Sequence, residues 1–196
     1  NNLFVVRIGD EGSWLRYHHL FRDFLQHRME TLYPDEASKI LQRLAEYYTS
    51  SQDWERVFIL YSKLGEIDTI IGLIESIGSS FIAKGKIKRL ENWFSAIPEE
   101  KICSNPKLLS IKASIEVNKG DLPGGLELLN TVIDLQEKTG VDKTLMAENL
   151  VRRSTTLRML GKYPESLADA QHALELCSAM KKPIPVKAEA MRAIGI

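Results

Sequence analysis

The stretch LGKYPESLADAQHALEL, residues 160–176, predicts the fold of this chain. It is a short glycine turn followed by an amphipathic helix, and similar turns with a helix on each side stand earlier in the sequence. The turns lie at Ser51, Gly85, Gly120 and Gly161, which are 34, 35 and 41 residues apart. A helix–turn–helix unit repeated about every 34 residues is typical of a helical solenoid, because one unit cannot bury its apolar stripe alone.

A large apolar residue follows each turn and is expected to open the next helix. These residues are Trp54, Ile87, Leu122 and Tyr163. The 41-residue spacing before the last turn predicts either longer helices or a longer loop around residues 139–143.

Residues 160–176 resemble the second half of a tetratricopeptide repeat. The residues that match the family pattern are Gly161, Tyr163, Ser166, Ala170, Ala173, Leu174 and Leu176. In such a repeat the small residues let two antiparallel helices approach, and the aromatic residue is expected to fill the gap by the turn. Arg153 departs from the pattern, since a large apolar residue is usual at that position.

The chain begins with a different pattern. NLFVVRI (2–8) is apolar and β-branched, GDEGS (9–13) is a turn, and WLRYH (14–18) is a return strand, so a β-hairpin is expected. Apolar residues recur at helical spacing after it, and Pro34 can open a new helix at its first turn. The predicted fold class is all-α: an α–α superhelix of tetratricopeptide-like helical hairpins with a small N-terminal β-hairpin.

The composition excludes several kinds of protein. The chain has 196 residues, with 26 Lys plus Arg against 26 Asp plus Glu, so no basic excess attracts nucleic acid or a membrane surface. No apolar run approaches the ~20 residues that span a bilayer, and no membrane partner is expected. Cys103 and Cys177 lie far apart, as expected for reduced thiols in a cytoplasmic protein. A start without Met and an end within a helical pattern suggest a fragment of a longer protein.

Three of the four histidines lie within RYHHLFRDFLQHRM, residues 16–29. His18 and His19 are adjacent and point in different directions, whereas zinc needs three or four convergent ligands. His19 can pair with Asp23 on a helix, but no nucleophile accompanies them. Neither catalytic residues nor metal ligands are therefore predicted. The basic stretch KGKIKR (84–89) is interpreted as a solvated turn rather than a phosphate or nucleic-acid site.

Three segments together resemble the large ATP-dependent transcriptional activators of the MalT / LuxR type, which are signal-transduction ATPases. They are WLRYHHLFRDFLQHRM (14–29), ENWFSAIPEE (91–100) and NPKLLSIKASIEVNKGD (105–121). The resemblance implies the end of a winged-helix domain at residues 1–33 and a helical arm at 34–103. Tetratricopeptide-like sensor repeats, truncated at the end of the chain, would then occupy residues 104–196.

The resemblance also implies a role for His18, which matches a histidine that contacts the β-phosphate of bound ADP in related ATPases. ATP or ADP would be held by the parent protein, with no cofactor bound by this segment alone. DNA would be bound only through a C-terminal domain outside the segment. The alternative for His18 is a histidine packed in a small core and hydrogen-bonded to the backbone.

The predicted function is regulatory and non-catalytic: the segment couples a small-molecule inducer or a protein partner on the solenoid surface to the nucleotide switch. In a solenoid the concave face comes from the first helix of each unit. The candidate groove residues are Ser114, Asn118, Glu148, Arg152, Thr155 and Arg158. Self-association of the parent protein is a further possibility. The alternative function is a stand-alone tetratricopeptide-like scaffold that binds peptide tails, in which the hairpin should pack as an ordinary cap.

Overall fold

The computed structural model of the chain describes residues 4–8, 14–140, 142–179 and 185–194. In that part, two strands, β1 (Val5–Ile8) and β2 (Trp14–Tyr17), precede eleven helices. The helices are α1 (His19–Leu32), α2 (Pro34–Ser50), α3 (Trp54–Leu64), α4 (Ile67–Ala83), α5 (Ile87–Phe94), α6 (Glu99–Cys103), α7 (Pro106–Lys119), α8 (Leu122–Thr139), α9 (Lys143–Met159), α10 (Tyr163–Ser178) and α11 (Pro185–Ile194). The prediction of an all-α solenoid with a small N-terminal hairpin is confirmed. The predicted turn at 9–13 lies outside the described residues.

The chain divides into two compact units, Asn1–Glu66 and Ile67–Ile196. The first contains the hairpin and helices α1 to α3, and the second contains α4 to α11. The three predicted domains, with limits at 33/34 and 103/104, remain a proposal.

The hairpin pairs β1 and β2 antiparallel, with Val5 opposite Tyr17 and Ile8 opposite Trp14. The return strand was predicted to reach His18, but it ends one residue earlier. His18 has φ −55° and ψ 138° and stands at the N-cap of α1. Its backbone N–H still donates to the Phe4 carbonyl at 2.8 Å, so the strand runs directly into the helix.

Helices α1, α2 and α3 complete the first unit, and α2 begins at Pro34 as predicted. Ala45 is buried in α2, whereas the apolar side chains of Ile40 and Leu44 in the same helix are 45% and 39% exposed. These two side chains line an apolar cavity of about 190 Å³ together with Met29 of α1. The apolar stripe of α2 is therefore only partly covered within this unit.

The second unit has two layers of helices. Along the first layer, α4 contacts α7, α7 contacts α9, and α9 contacts α11. The second layer supplies the partner helices, since α4 packs against α5, α7 against α8, and α9 against α10. Two consecutive helices joined by a short turn thus form each unit of the solenoid, as the period of about 34 residues predicts.

The boundaries of the helices follow local sequence signals. The helices after the four predicted turns begin at Trp54, Ile87, Leu122 and Tyr163, as expected. Gly120 ends α7 with φ +93°, a left-handed backbone conformation that residues other than glycine rarely adopt. The next residue, Asp121, caps α8 by accepting a hydrogen bond from the Gly124 N–H at 3.0 Å.

Two features of the connections refine the repeat pattern. The 41-residue spacing reflects longer helices, since α8 has 18 residues and α9 has 17, with only residues 140–142 between them. A further turn at Gly65, which the pattern did not predict, ends α3.

The prediction that Tyr163 fills the gap by its turn is wrong, because its side chain is 66% exposed. The close contact between α9 and α10 depends instead on the small residues. Ala170 and Ala173 are fully buried, and the Ser166 hydroxyl lies 3.0 Å from that of Ser154 on α9. Because these side chains are short, the helices approach without an aromatic wedge.

The segment ENWFSAIPEE forms part of the core. Trp93, Phe94 and Ile97 are buried, and the Trp93 ring lies 5.2 Å from the Phe81 ring of α4 between centroids. Pro98 stands at the N-cap of α6. The apolar side chains of this segment therefore serve packing, and Trp93 joins α5 to α4.

Replacing Gly125 by alanine should destabilise the second unit by about 1–3 kcal/mol, the usual cost of an overpacked core. A Cβ at Gly125 would lie 2.4 Å from Val117 Cγ2 and 3.3 Å from the backbone of Ala113 and Val117. Val117 cannot yield easily, since its branched side chain is restricted by its own helix. Urea unfolding followed by circular dichroism measures the change.

Gly72→Ala is the matched control, since a Cβ there meets nothing within 4 Å and Gly72 lies in the helical interior of α4. It should stabilise the chain by up to about 1 kcal/mol through helix propensity. Equal effects of the two substitutions would contradict the close approach of α7 and α8.

Candidate functional site

The six predicted groove residues lie on α7 and α9, two neighbouring helices of the first layer. The structure brings them together as pairs. Arg152 contacts α7 and pairs with Glu148; Thr155 and Arg158 line a cavity with α11; and Ser114 and Asn118 follow one another along α7.

The first pair belongs to a polar network at the contact of α7 and α9. Arg152 donates from Nη1 to the Ser110 Oγ at 2.6 Å and from Nη2 to Glu148 at 3.4 Å. Ser110 is buried and donates to the Asn149 Oδ1, and Asn149 Nδ2 donates to the Gln136 Oε1 of α8 at 2.9 Å. The network joins three helices, so Arg152 and Glu148 are held in fixed positions.

The second pair lines a cavity of about 400 Å³ between α9 and α11. Its walls are Val151, Thr155 and Arg158 from α9, with Glu189, Arg192 and Ala193 from α11. The sequence pattern did not single out the α11 residues, because α11 follows the last of the four predicted turns and the helix after it. The sequence contained one signal for them: Glu189 and Arg192 are three residues apart, which places both on one face of a helix.

Ser114 and Asn118 form hydrogen bonds to the backbone of α7 itself. The Ser114 hydroxyl donates to the Ser110 carbonyl at 2.9 Å, and the Asn118 amide donates to the Ser114 carbonyl at 2.8 Å. Asn118 borders a different cavity, of about 760 Å³, with the basic turn that contains Lys86 and Lys88. Asn118 is thus separated from the cavity of Thr155 and Arg158.

Arg153, which departs from the repeat pattern, has a specific partner. Its Nε and Nη2 atoms donate to the two Asp169 carboxylate oxygens of α10, each at 2.7 Å, and Nη1 donates to Asn130 of α8 at 3.0 Å. The Asp169 carboxylate raises the pKa of the guanidinium above its usual value. An ion pair across the α9–α10 contact therefore replaces the apolar contact expected there.

Lys112 connects α7 to α6. Its ammonium donates to Glu99 at 2.7 Å, and this hydrogen bond lowers the pKa of the Glu99 carboxyl below its usual value. Both residues border a cavity of about 270 Å³ that also contains Phe94 and Ile115.

His18 lies on the surface of the first unit at the junction of β2 and α1. Its side chain is exposed, and its ring lies 4.3 Å from that of His19 between centroids. The alternative of a histidine packed in a small core is therefore wrong. The expected pairing of His19 with Asp23 is replaced by one with Arg22, whose Nη2 donates to the Asp23 carboxylate at 2.9 Å.

Within the described ranges, no three His, Cys, Asp or Glu side chains are placed to hold a metal ion together. Over the same ranges, none of the helices combines the length and apolar character needed to cross a membrane. Cys103 is exposed, and burial raises the pKa of the Cys177 thiol.

The hairpin and first helix define the class of protein to which this chain is similar. Residues 1–37 match the family model of the MalT winged helix domain. This range includes the hairpin, the His18 junction and all of α1. The predicted resemblance to regulators of the MalT type is confirmed.

The curated relatives are the HTH-type transcriptional regulators MalT. The protein of Vibrio parahaemolyticus serotype O3:K6 is 22% identical over 111 residues, which are 57% of this chain and 12% of that relative. The protein of Serratia proteamaculans is 24% identical over 179 residues, 88% of this chain and 19% of the relative. The protein of Klebsiella pneumoniae is 25% identical over 111 residues. The chain spans less than a fifth of the length of these relatives.

Proposed function

We propose that this chain is a regulatory, non-catalytic segment of an ATP-dependent transcriptional regulator. It couples the binding of an effector or partner on its helical-repeat surface to a nucleotide switch. The match of residues 1–37 to the MalT winged helix domain supports the proposal, as do relatives named as transcriptional regulators. The position of His18 is the observation that carries it.

The surroundings of His18 suit contact with a phosphate. Its exposed imidazole stands at the N-cap of a 14-residue helix, where backbone N–H groups and the helix dipole favour an anion. The first turn of α1 contains no acidic residue that would repel one. In this proposal His18 donates a hydrogen bond to an ADP phosphate, while the rest of the nucleotide is bound by parts of the parent protein outside this chain.

The coupling requires that an effector bind the two states of the switch with different affinity. The first-layer helices α7, α9 and α11 present the polar side chains and the cavity to which it would bind. DNA binding through a domain outside the chain, and self-association of the parent protein, complete the proposed mechanism in the cytoplasm.

In the parent protein that contains the nucleotide-binding domain, His18→Ala should weaken retention of ADP by about tenfold, the usual effect of removing one hydrogen bond to a charged group. ADP content after gel filtration, together with the rate of ADP release, measures this. His27→Ala is the matched control, because His27 is also an exposed histidine of α1 and lies two turns further along.

If His18→Ala and His27→Ala proteins retain ADP equally and keep the same basal transcriptional activity, the nucleotide role of His18 is wrong. The alternative of a tetratricopeptide-like scaffold would then be favoured.

A further inference from the structure

We propose that the cavity between α9 and α11 binds a small molecule through its carboxylate or phosphate group, held by Arg158 and Arg192. The inference rests on the proposed use of the helical-repeat surface for an effector, and it specifies the chemical class of that effector. The cavity measures about 400 Å³, within the usual range for small-molecule sites.

The cavity combines apolar walls with two guanidinium groups. Val151 is buried, Ala193 is half-buried, and Thr155 donates its hydroxyl hydrogen to the Val151 carbonyl at 3.0 Å. The Thr155 hydroxyl hydrogen is therefore already engaged, and its oxygen can only accept a further hydrogen bond. The charged atoms that line the cavity come from Arg158, Arg192 and Glu189.

The two arginines are available to a ligand. Across the described ranges, neither forms an ion pair with a carboxylate, Glu189 included. Among the described residues, the hydrogen bond of Arg192 is from its Nε to the Ala188 carbonyl at 3.4 Å. Planar guanidinium groups bind carboxylate and phosphate oxygens with paired hydrogen bonds, and two of them outweigh the single charge of Glu189.

Each arginine stands in the last turn of its own helix, Arg158 on α9 and Arg192 on α11, where the helix C-terminus stabilises a cation. That stabilisation does not require the two side chains to line one cavity, and both line the cavity between α9 and α11. The convergence of two unpaired arginines from separate helices therefore indicates an anionic ligand.

Calorimetric titration of the 196-residue chain with citrate and with inorganic phosphate, at low and constant ionic strength, tests the inference. The unaltered chain should bind at least one of the two anions, and the one that binds tighter identifies the preferred group. Arg158→Gln and Arg192→Gln should each weaken binding about tenfold or more, through loss of a hydrogen bond to a charged group. Lys187→Gln, an exposed cation of α11 outside the cavity, is the matched control and should have little effect.

Glu189→Gln tests the sign of the charge in the cavity. Removing this carboxylate should tighten anion binding several-fold, because a like charge near the ligand disappears. Circular dichroism of each variant verifies that the helices remain folded.

Three results would overturn the inference. They are the absence of binding by both anions, equal weakening in the Lys187→Gln control, and binding of a hexaglutamate peptide without binding of either small anion. The last result would indicate an acidic protein segment as the ligand. Each outcome is independent of the His18→Ala experiment, so failure of the ligand class is distinguishable from failure of the regulatory function.

Discussion

Replacing Asp169 by asparagine is expected to lower the free energy of unfolding by about 2–3 kcal/mol. Asp169 accepts two hydrogen bonds from Arg153, and the two side chains are only 10% and 22% exposed. The substitution leaves a half-buried guanidinium without its negative partner, which costs more than the pair itself contributes. Because Arg153 remains partly exposed, the expected loss of stability is smaller than for a fully buried ion pair. Urea unfolding measures the difference.

Asp68→Asn is the control for loss of a carboxylate, because the Asp68–Lys101 pair is exposed and should contribute at most about 1 kcal/mol. The double substitution Arg153→Met with Asp169→Leu should recover most of the lost stability, since it removes both charges and restores an apolar contact. If Asp169→Asn lowers the free energy of unfolding no more than Asp68→Asn does, the α9–α10 ion pair contributes little to stability.

Replacing Asn149 by alanine is expected to destabilise the chain by about 2–4 kcal/mol. Asn149 is fully buried, donates to Gln136 at 2.9 Å and accepts from Ser110. Its loss leaves the buried Gln136 carbonyl without this donor and opens a small cavity among α7, α8 and α9. Because Arg152 still donates to Ser110, part of the network should survive. The midpoint and slope of urea unfolding report the effect.

Asn92→Ala is the control substitution, because Asn92 is exposed on a helix and alanine there should raise the free energy of unfolding slightly. A double-mutant cycle between Asn149→Ala and Gln136→Ala should show a coupling of about 0.5–3 kcal/mol, as for residues in one hydrogen-bond network. Additive effects would mean that the two amides act independently.

Both predictions concern contacts that hold α9 in place, and the proposed site depends on the position of α9. The Asn149 network connects α7 to α9, and the Arg153–Asp169 pair connects α9 to α10. Arg158 lies on the same helix as Asn149 and Arg153. A displacement of α9 would therefore also displace one wall of the α9–α11 cavity. Partly destabilised variants should therefore bind citrate or phosphate more weakly without any change at Arg158 or Arg192.

The sequence predicted the starts of the helices because the signals are local. Ile87, Leu122 and Tyr163 each open a helix two residues after a glycine turn, and Pro34 opens α2. Turn glycines and a proline at the first helical position act on the backbone of their own segment. The helical period of the apolar residues likewise indicated the all-α class before any contact was known.

Local sequence signals did not predict which residues the buried polar side chains contact. Arg153 was recognised only as a departure from the repeat, and the role of Asp169, sixteen residues later, required the packing of α10 on α9. Ser110 and Asn149 are likewise buried partners separated by 39 residues. A polar residue on a buried stripe indicates that a partner exists, but the helix that supplies it depends on how the units stack.

The sequence by itself thus determined the helical repeat, the hairpin before it and the junction at His18, because turn residues and apolar periodicity act over a few positions. The tertiary structure decided that Tyr163 stays exposed, that Asp169 pairs with Arg153, and that Arg192 faces the same cavity as Arg158. These features depend on the distance and orientation between helices. Side-chain volumes from several units set that geometry together, and no single segment contains it.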